Sequence, residues 1–345
     1  MTDGILLAEA REDLLLRKYA AVVLDEAHER NLNTDVLLGL LAATVPLRRR
    51  AAEEEGSTLP PLKLVVMSAT LRVEDFTGLF RTKNGEGPAV VRVPGRTFPV
   101  TVHHSKNTEL DNYVDVAFRK VCKIHKKLPP GGILVFLTGK QEVDKMVKDL
   151  RKKFALKNAT KAGTRGGNDT KVAPIQKGTK DDGTPRDLDD DEVDGDCFQT
   201  DHDDYDRLED SDPDPDDPPP DPASSLAPAT VLRLYSMLSV EEQSLAFAPL
   251  PPEHRRIVVA TNIAETSVTL PDVAYVVDAG RCKVRTYRAA TGVASYDVAW
   301  ISKAQADQRA GRAGRTGPGH CYRLYSSSVY DRQFAAHPMP EVLTR

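Results

Sequence analysis

An apolar run that ends in adjacent carboxylates limits how this chain can fold. Residues 20–24 read AAVVL, and Asp25, Glu26 and His28 follow within four positions. Such a run is typical of a fully buried parallel strand, and open α/β sheets bind ligands at the carboxyl ends of their strands. Mg²⁺ is usually held by one or two carboxylates plus substrate phosphates, and a second carboxylate can polarise a water. The pattern therefore favours an α/β fold and a nucleotide ligand.

The usual partner of such carboxylates is a glycine-rich phosphate loop. No segment of the form G-x-x-x-x-G-K-[ST] occurs in the 345 residues. The loop would supply the backbone N–H groups and the lysine that cradle phosphates. The motif thus predicts a nucleotide, while the element that would hold its phosphates has no counterpart in this sequence.

Apolar runs with polar ends recur along the chain and predict two α/β domains. The first covers residues 1–93, and 94–100, with Pro and Gly at a turn, is typical of a linker. The second covers 101–330 and is interrupted at about 155–228 by a long segment that contains DLDDDEVDGD and DSDPDPDDPPPDP. So little apolar content cannot offset the entropy of ordering, which predicts a disordered acidic insertion.

The distribution of charge says more than its total. Lys plus Arg number 47 and Asp plus Glu number 51, but the acidic residues concentrate between 181 and 221. The rest of the chain is therefore basic, as expected of a nucleic-acid-binding protein. The acidic run itself is either a solvated linker or a docking tail for a basic surface, and composition does not separate the two.

Other features argue against a protein stabilised by zinc or by disulfides and against a membrane protein. The four cysteines are far apart and form no C-x-x-C pair, which disfavours a zinc site and a disulfide framework. The N-terminus lacks the basic start and apolar core of a signal peptide, and no run is long enough to span a membrane. We expect an intracellular protein without a membrane partner. Five histidines have no partner at ligand spacing and receive no role: His103, His104, His125, His202 and His320.

Three further polar clusters lie at or beyond predicted strands. Ser68, Ala69 and Thr70 follow LKLVVM, and Thr261 and Asn262 follow RIVVA. The segment 305–315, QADQRAGRAGR, has an arginine at every third position, so a helix would present arginines where phosphate can be gripped. Arginine beside a transferring phosphoryl group stabilises the charge of the transition state. These clusters indicate phosphoryl-transfer chemistry.

Seven motifs in this order resemble those of the DEAH-box helicases of superfamily 2. They are TDGILL, DEAH, SAT, LVFLTG, LYSML, ATNIAETS and QRAGRAGR. The resemblance implies two RecA-like domains of the P-loop NTPase type with parallel sheets, the first incomplete at its N-terminus. It also implies that the chain is a fragment without the Walker A loop and without the winged-helix and later domains, so that residues 331–345 would begin the connection to the winged-helix domain. The implied function is an ATP-dependent RNA helicase that uses ATP and Mg²⁺. The alternatives are a catalytically inactive RNA-binding or scaffold protein and a DNA helicase.

The resemblance assigns the catalytic roles position by position. Asp25 and Glu26 would organise Mg²⁺ and the attacking water, and His28 would link nucleotide state to the second domain. The remaining assignments are Gln308 to place the water, Arg312 and Arg315 to reach the γ-phosphate, Phe247 to stack on adenine, and Ser68 and Thr70 to couple the domains. Core packing is the alternative for Phe247. Pro271 stands where many relatives have an acidic residue, so a nucleotide contact from that position is not implied.

The resemblance also assigns contacts with the RNA backbone, which do not read base identity. They fall on Thr2, Asp3, Gly4, Thr138, Gly139, Thr261 and Asn262. The segment 283–296, with Thr291 and Gly292 near its turn, predicts a β-hairpin at the place where the family separates strands.

Four features resemble the branch that works in small-subunit ribosome biogenesis with the U3 small nucleolar RNA. They are LRVEDF, FRKVCKIHKKLPPGGILVFLTG, the acidic insertion before LYS, and GHCYRLYSS. This resemblance implies pre-rRNA or small nucleolar RNA as the substrate and ribosome-assembly factors as partners. It implies a location in the nucleus and nucleolus.

Overall fold

The structure is a computed structural model that describes most of the chain outside the acidic insertion. The described residues are 1–54, 58–69, 76–81, 87–93, 95, 98–162, 228–251, 253–266, 268–288 and 293–343. The predicted disordered insertion lies outside them except at its two ends. Thr70 and the hairpin turn at Thr291 and Gly292 also lie outside the described residues.

The first part of the chain forms a small parallel sheet covered by helices. Its elements are α1 (Asp3–Glu12), β1 (Ala21–Leu24), a 3-10 turn (Ala27–Glu29), α2 (Leu32–Glu53) and β2 (Lys63–Val66). β1 and β2 pair in parallel with Val23 opposite Val65. Apolar side chains of α1 and α2 pack on the buried face of these strands. The carboxyl ends of β1 and β2 therefore lie side by side.

The prediction that β1 is buried on both faces is wrong. Val22 and Leu24 are buried, but Val23 between them is 55% exposed. The side chains of a strand alternate between the two faces of a sheet. α1 and α2 cover one face, and the described residues leave the other open to solvent.

α2 is longer than the sequence predicts, because a buried arginine holds its last turns. The charged, proline-ended stretch 48–61 predicts a loop, but the helix continues to Glu53. Arg48 is fully buried. Its guanidinium donates hydrogen bonds to the backbone carbonyls of Pro60 (3.0 Å), Leu15 (2.6 Å), Leu16 (2.7 Å) and Tyr19 (2.9 Å). One side chain thus ties α2 to the segments that enter β1 and β2.

The second part of the chain is built on a larger parallel sheet. Its strands are β3 (Val100–His104), β4 (Gly132–Phe136), β5 (Ala229–Leu234), β6 (Arg255–Ala260), β7 (Val273–Asp278) and β10 (Gly319–Arg323). They lie in the order β3-β10-β7-β4-β6-β5, and every pairing is parallel. The predicted α/β fold with a parallel sheet is confirmed.

Helices and an antiparallel hairpin complete this part. The helices are α3 (Tyr113–Lys127), α4 (Lys140–Ala162), α5 (Val240–Ser244), α6 (Lys303–Gly311) and α7 (Ser327–Gln333). The expectation that order ends near residue 155 is wrong, because α4 continues to Ala162. The predicted hairpin is confirmed as β8 (Arg281–Arg288) paired with β9 (Val293–Trp300). None of the described helices is long and apolar enough to cross a lipid bilayer.

The central strand β4 shows why the strands of the larger sheet appear in the sequence as continuous apolar runs. All five of its residues are buried. Ile133 and Val135 pack on the side of α3 and α4, whereas Leu134 and Phe136 pack on the side of α6. Burial on both faces removes the polar alternation of a half-exposed strand. The residues after the strands consequently gather at one carboxyl edge.

Two histidines left without a role serve packing in this sheet. His103 on β3 and His320 on β10 lie with their ring nitrogens 3.1 Å apart. His103 also stacks on Tyr322, with ring centroids 4.6 Å apart. The pair joins neighbouring strands, as expected of packing residues.

We predict that Arg48→Met destabilises the protein by about 3 kcal/mol, because it leaves buried carbonyls without hydrogen bonds. Urea unfolding followed by far-UV circular dichroism measures this loss. Arg49→Met is the matched control, since Arg49 lies next to it on α2 and is exposed. Equal stabilities of the two variants would contradict the role given to Arg48.

Candidate active site

The loop at the end of β1, residues 25–30, is called the DEAH loop below. The backbone N–H of Met67 donates to the Leu24 carbonyl (2.8 Å), and that of Ala27 donates to the Met67 carbonyl (3.0 Å). Glu26 adopts a left-handed conformation, φ 51° and ψ 33°, which costs a non-glycine residue roughly 1–2 kcal/mol. Its N–H donates to the Asp25 carboxylate (2.8 Å). The loop is therefore fixed at both strand ends while its two carboxylates stay accessible.

His28 of the DEAH loop connects the two domains. Its ring is buried, and the backbone N–H of Ala69 donates to Nδ1 (3.2 Å). The side-chain amide of Gln308, in α6, lies 2.6 Å from Nε2. The Glu26 carboxylate lies 3.4 Å from Nδ1 as well, and the tautomer of the ring decides which group donates in the contact with Gln308. One imidazole thus joins the DEAH and SAT segments to the arginine-rich motif.

Arg309 holds the arginine-rich motif in place through a buried ion-pair network. It is fully buried and donates to the carboxylates of Glu265 (3.0 Å) and Asp278 (2.8 Å). Asp278 also accepts hydrogen bonds from the Tyr325 hydroxyl (3.0 Å) and the Gly280 N–H (2.9 Å). Arg309 therefore fixes α6 against the ends of β6 and β7. It is a structural residue and does not face the cleft.

Burial and neighbouring charges shift the pKa values of this network in opposite directions. Burial would lower the pKa of Arg309, but Asp278 and Glu265 outweigh it and raise that pKa. Burial raises the pKa of Glu265, and Arg309 opposes this rise. The guanidinium stays charged, so losing it would leave two carboxylates buried without a cation.

Arg312 and Arg315 differ from Arg309 because carbonyl or hydroxyl oxygens bind them, not carboxylates. Arg312 donates to the carbonyl of Val268 (2.7 Å), and Arg315 donates to the hydroxyl of Thr269. Burial, and then the charge of Arg315, lowers the pKa of Arg312 to about 10. Burial also lowers the pKa of Arg315, and the charge of Glu26 opposes both shifts. Glu26 is therefore close enough to both arginines for its charge to act on them.

A cavity of about 410 Å³ lies between the domains beside the DEAH loop. His28, Arg30 and Asn31 line it from the first domain, and Gln308 and His337 line it from the second. Neither Arg312 nor Arg315 lines this cavity. It therefore lies on the α2 side of the contact between His28 and Gln308, away from these two arginines.

Phe247 lies on a turn that a buried arginine holds. Its ring is 37% exposed, so it is not a core residue. Arg256 donates to the carbonyls on both sides of it, those of Ala246 (2.6 Å) and Ala248 (2.8 Å). Burial lowers the pKa of Arg256, and Asp272 opposes the shift. Arg256 therefore fixes the backbone that presents the Phe247 ring.

Four of the seven residues assigned to RNA gather at the carboxyl edge of the larger sheet. β4 and β6 are neighbours with Phe136 opposite Ala260, so Thr138 and Gly139 lie beside Thr261 and Asn262. The other three, Thr2, Asp3 and Gly4, form the start of α1, where Asp3 accepts a hydrogen bond from the Thr34 hydroxyl.

The donors of Thr138 are already engaged. Its N–H donates to one carboxylate oxygen of Glu142 (3.0 Å), and its hydroxyl donates to the other (2.7 Å). Gly139 has no side chain, and the ammonium group of Lys283 lies next to its backbone. A Cβ atom at this position would be 2.8 Å from Nζ of Lys283. A phosphate at this point would meet an ammonium group that the sequence did not single out.

The structure describes only one of the two residues that the resemblance assigns to domain coupling. Ser68 is exposed directly after β2 and precedes Ala69, which binds His28. Thr70 lies outside the described residues.

Asp25 and Glu26 are the residues that could hold a metal. Within the described parts of the chain, no group of three or more His, Cys, Asp or Glu side chains forms a metal site. Two accessible carboxylates at a strand end fit Mg²⁺, which takes few protein ligands and completes its shell with water and phosphate oxygens.

Sequence reasoning missed Asp278, Arg256 and Glu142. Asp278 ends the apolar run AYVVD as Asp25 ends AAVVLD, so the same rule would have found it. Arg256 carries no such signal, because an arginine that begins a strand looks like a surface residue until its partners are known.

Comparison with known proteins gives consistent results. The helicase conserved C-terminal domain family matches residues 223–317. DHR1 of Saccharomyces cerevisiae, named as a probable ATP-dependent RNA helicase, is 46% identical over 360 residues, which cover 99% of this chain and 28% of that protein. DHX37 of Homo sapiens, similarly named, is 46% identical over 370 residues, covering 100% of this chain and 31% of that protein.

A splicing helicase is less similar. The pre-mRNA-splicing factor ATP-dependent RNA helicase prp22 of Schizosaccharomyces pombe is 37% identical over 342 residues, covering 99% of this chain and 22% of that protein. The chain thus spans between about a fifth and a third of the length of these three relatives.

We predict that Arg309→Met destabilises the second domain by about 3–5 kcal/mol, because it leaves buried carboxylates without their cation. Trp300 is the single tryptophan of the chain and reports unfolding by fluorescence. Arg315→Met should change stability by less than about 1 kcal/mol, since that side chain is exposed. Similar losses in the two variants would contradict the distinction between these arginines.

Proposed function

Because the chain belongs to the DEAH-box family of ATP-dependent RNA helicases, we propose that it forms the cleft in which such an enzyme hydrolyses ATP to move along RNA. The contact between His28 and Gln308 carries this proposal. It joins the carboxylates of one domain to the arginine-rich motif of the other. A site divided in this way couples chemistry to the relative motion of the domains.

The chain's own residues have distinct parts in the proposed hydrolysis. Glu26 takes a proton from the attacking water, and Gln308 orients that water through its amide. Arg312 and Arg315 stabilise the negative charge that develops on the phosphoryl group. Asp25 would hold Mg²⁺, which supplies neutralising charge to the phosphates when bound. The support is that both arginines respond electrostatically to Glu26.

The adenine base is proposed to stack on Phe247. The support is an aromatic ring that stays partly exposed although its backbone is clamped by Arg256 on both sides. A fixed ring loses little entropy when a base binds, so we infer that Arg256 positions Phe247.

The RNA backbone is proposed to lie along the carboxyl edge formed by Thr138, Gly139, Thr261 and Asn262. Lys283 adds a cation beside Gly139, and contacts of this kind bind phosphates without regard to sequence. The hairpin β8–β9 starts at this edge, so it is suitably placed to separate strands.

The more specific proposal is a role in ribosome biogenesis. Its support is the set of branch-specific segments, together with a higher identity to DHR1 and DHX37 (46%) than to the splicing factor prp22 (37%). We propose pre-rRNA or small nucleolar RNA as the substrate, ribosome-assembly factors as partners, and the nucleolus as the location. Crosslinking the protein to RNA in cells tests this, and crosslinks confined to spliceosomal RNA would contradict it.

We predict that Glu26→Gln in the full-length protein lowers ATP turnover by roughly 10²–10⁴-fold while leaving ATP affinity within a few-fold. The carboxylate activates water but is not needed to hold the nucleotide. Phosphate release and binding of a fluorescent ATP analogue measure the two effects separately. Glu29→Gln is the control, because Glu29 lies in the same loop without an assigned role. A wild-type protein that binds RNA but never hydrolyses ATP would support the inactive scaffold instead.

We predict that Phe247→Ala raises KM for ATP about tenfold, the scale of a lost base-stacking contact. Arg256→Met should act in the same direction, and the double variant should be no worse than Phe247→Ala alone. Arg256→Lys should retain part of the effect, since one ammonium can reach one carbonyl. Additive losses in the double variant would show that Arg256 does not act through Phe247.

A further inference from the structure

A segment near residue 341 returns from the second domain to the first and binds the residues that follow the DEAH loop. The backbone N–H of Glu341 donates to the Arg30 carbonyl (3.1 Å). The Glu341 carboxylate accepts a hydrogen bond from the Leu32 N–H (2.9 Å), across 309 positions of sequence. The contact therefore engages one donor and one acceptor on each side.

The carboxylate serves as the cap that α2 otherwise lacks. Asn31 stands at the N-cap position of α2 and makes no side-chain capping hydrogen bond. The first N–H groups of a helix need acceptors, and a carboxylate there also interacts favourably with the helix dipole. Arg30 has a left-handed backbone, φ 53°, and its guanidinium pairs with Asp35 (2.7 Å). The start of α2 is thus shaped to receive Glu341.

The segment that contains Glu341 follows the second domain and is attached to it, because the N–H groups of Lys303 and Ala304 donate to the carbonyls of Ala335 and Ala336. The stretch from residue 28 to residue 32 is consequently held at both ends. Gln308 contacts His28 at one end, and Glu341 contacts Arg30 and Leu32 at the other. The 410 Å³ cavity lies beside this stretch: residues 28–31 line it from the first domain, together with second-domain residues that include Asn262, Glu265 and Gln308. Space between two contacts allows the domains to move about one of them without a clash.

The two contacts differ in strength. Gln308 contacts His28 through one hydrogen bond, whereas both the backbone N–H and the carboxylate of Glu341 bond to the first domain, and the carboxylate bond is charge-assisted. Charge-assisted hydrogen bonds are roughly twice as strong as neutral ones. The contact at Gln308 should therefore separate first.

We propose that Glu341 is a positioning residue that keeps the start of α2 bound to the second domain, so that the cleft opens at Gln308 and pivots at Glu341. Its effect on catalysis rests on the proposed ATPase function, whereas the contact itself does not. In this arrangement Glu341 makes the DEAH loop return to the same position relative to Gln308 and Arg312 each time the cleft closes.

Hydrogen–deuterium exchange on the protein tests the contact without requiring activity. Glu341→Ala should speed exchange of the amides in 28–34 about tenfold, the usual scale for a lost helix cap. Glu341→Gln should have a smaller effect, because its amide oxygen still accepts a hydrogen bond. Asp331→Asn removes the same charge from an exposed side chain of α7 and should change nothing. Unchanged exchange, or equal acceleration at Leu37 and Leu41 in the middle of α2, would overturn the proposal.

Steady-state kinetics of the full-length protein test the catalytic consequence. Glu341→Ala should lower kcat several-fold and leave KM for ATP within about twofold, because closure is impaired while the nucleotide contacts are intact; Glu341→Gln should restore part of kcat. An active wild type with unchanged kcat in Glu341→Ala would overturn the pivot. A wild type without ATPase, together with the expected exchange pattern, would refute the proposed function and support the contact.

Discussion

The buried ion pairs of Arg309 are the interaction on which the geometry of the candidate site depends. Arg309 joins the loop after β6, through Glu265, to the end of β7, through Asp278. Its neighbours Gln308 and Arg312 owe their positions to this anchor, since all three belong to one short helical segment. A residue that faces no substrate thus determines where the cleft-facing residues stand. A buried pair is costly to break because a charge remains unpaired, even where an apolar pair would be equally stable.

The contact between the domains has a different character. His28 accepts a hydrogen bond from the backbone N–H of Ala69, and it meets Gln308 through a single hydrogen bond. Such a bond contributes about 1 kcal/mol net, an amount that ligand binding can readily overcome. The buried ion pairs therefore lie within a domain, whereas the contact at Gln308 that joins the two domains is weak. This distribution suits a site that must assemble and come apart repeatedly.

The sequence predicted the fold class, the parallel sheet and the hairpin because each rests on periodicity and local turn signals. The resemblance singled out Arg312 and Arg315, but the spacing of QRAGRAGR alone could not distinguish its arginines. Their three-residue spacing is regular, yet Arg309 is buried between carboxylates and Arg315 faces the cleft, because the helix ends at Gly311 and a 3-10 turn follows. The sequence also placed a loop at Arg48, because a charged residue is ordinarily exposed. Whether such an arginine is buried depends on interactions between segments that are distant in the sequence, and no local pattern predicts these interactions.

The arginines that anchor this structure fall into two chemical groups. Arg48 and Arg256 bind backbone carbonyls, whose charge does not change with pH. Arg309 binds carboxylates, and burial raises the pKa of one of them, Glu265. A carboxyl group whose pKa is higher in the folded than in the unfolded state contributes stability that is lost as pH rises. The carbonyl contacts therefore hold α2 and the turn of Phe247 in the same way at every pH, whereas the anchor of α6 contains a group whose ionisation opposes folding.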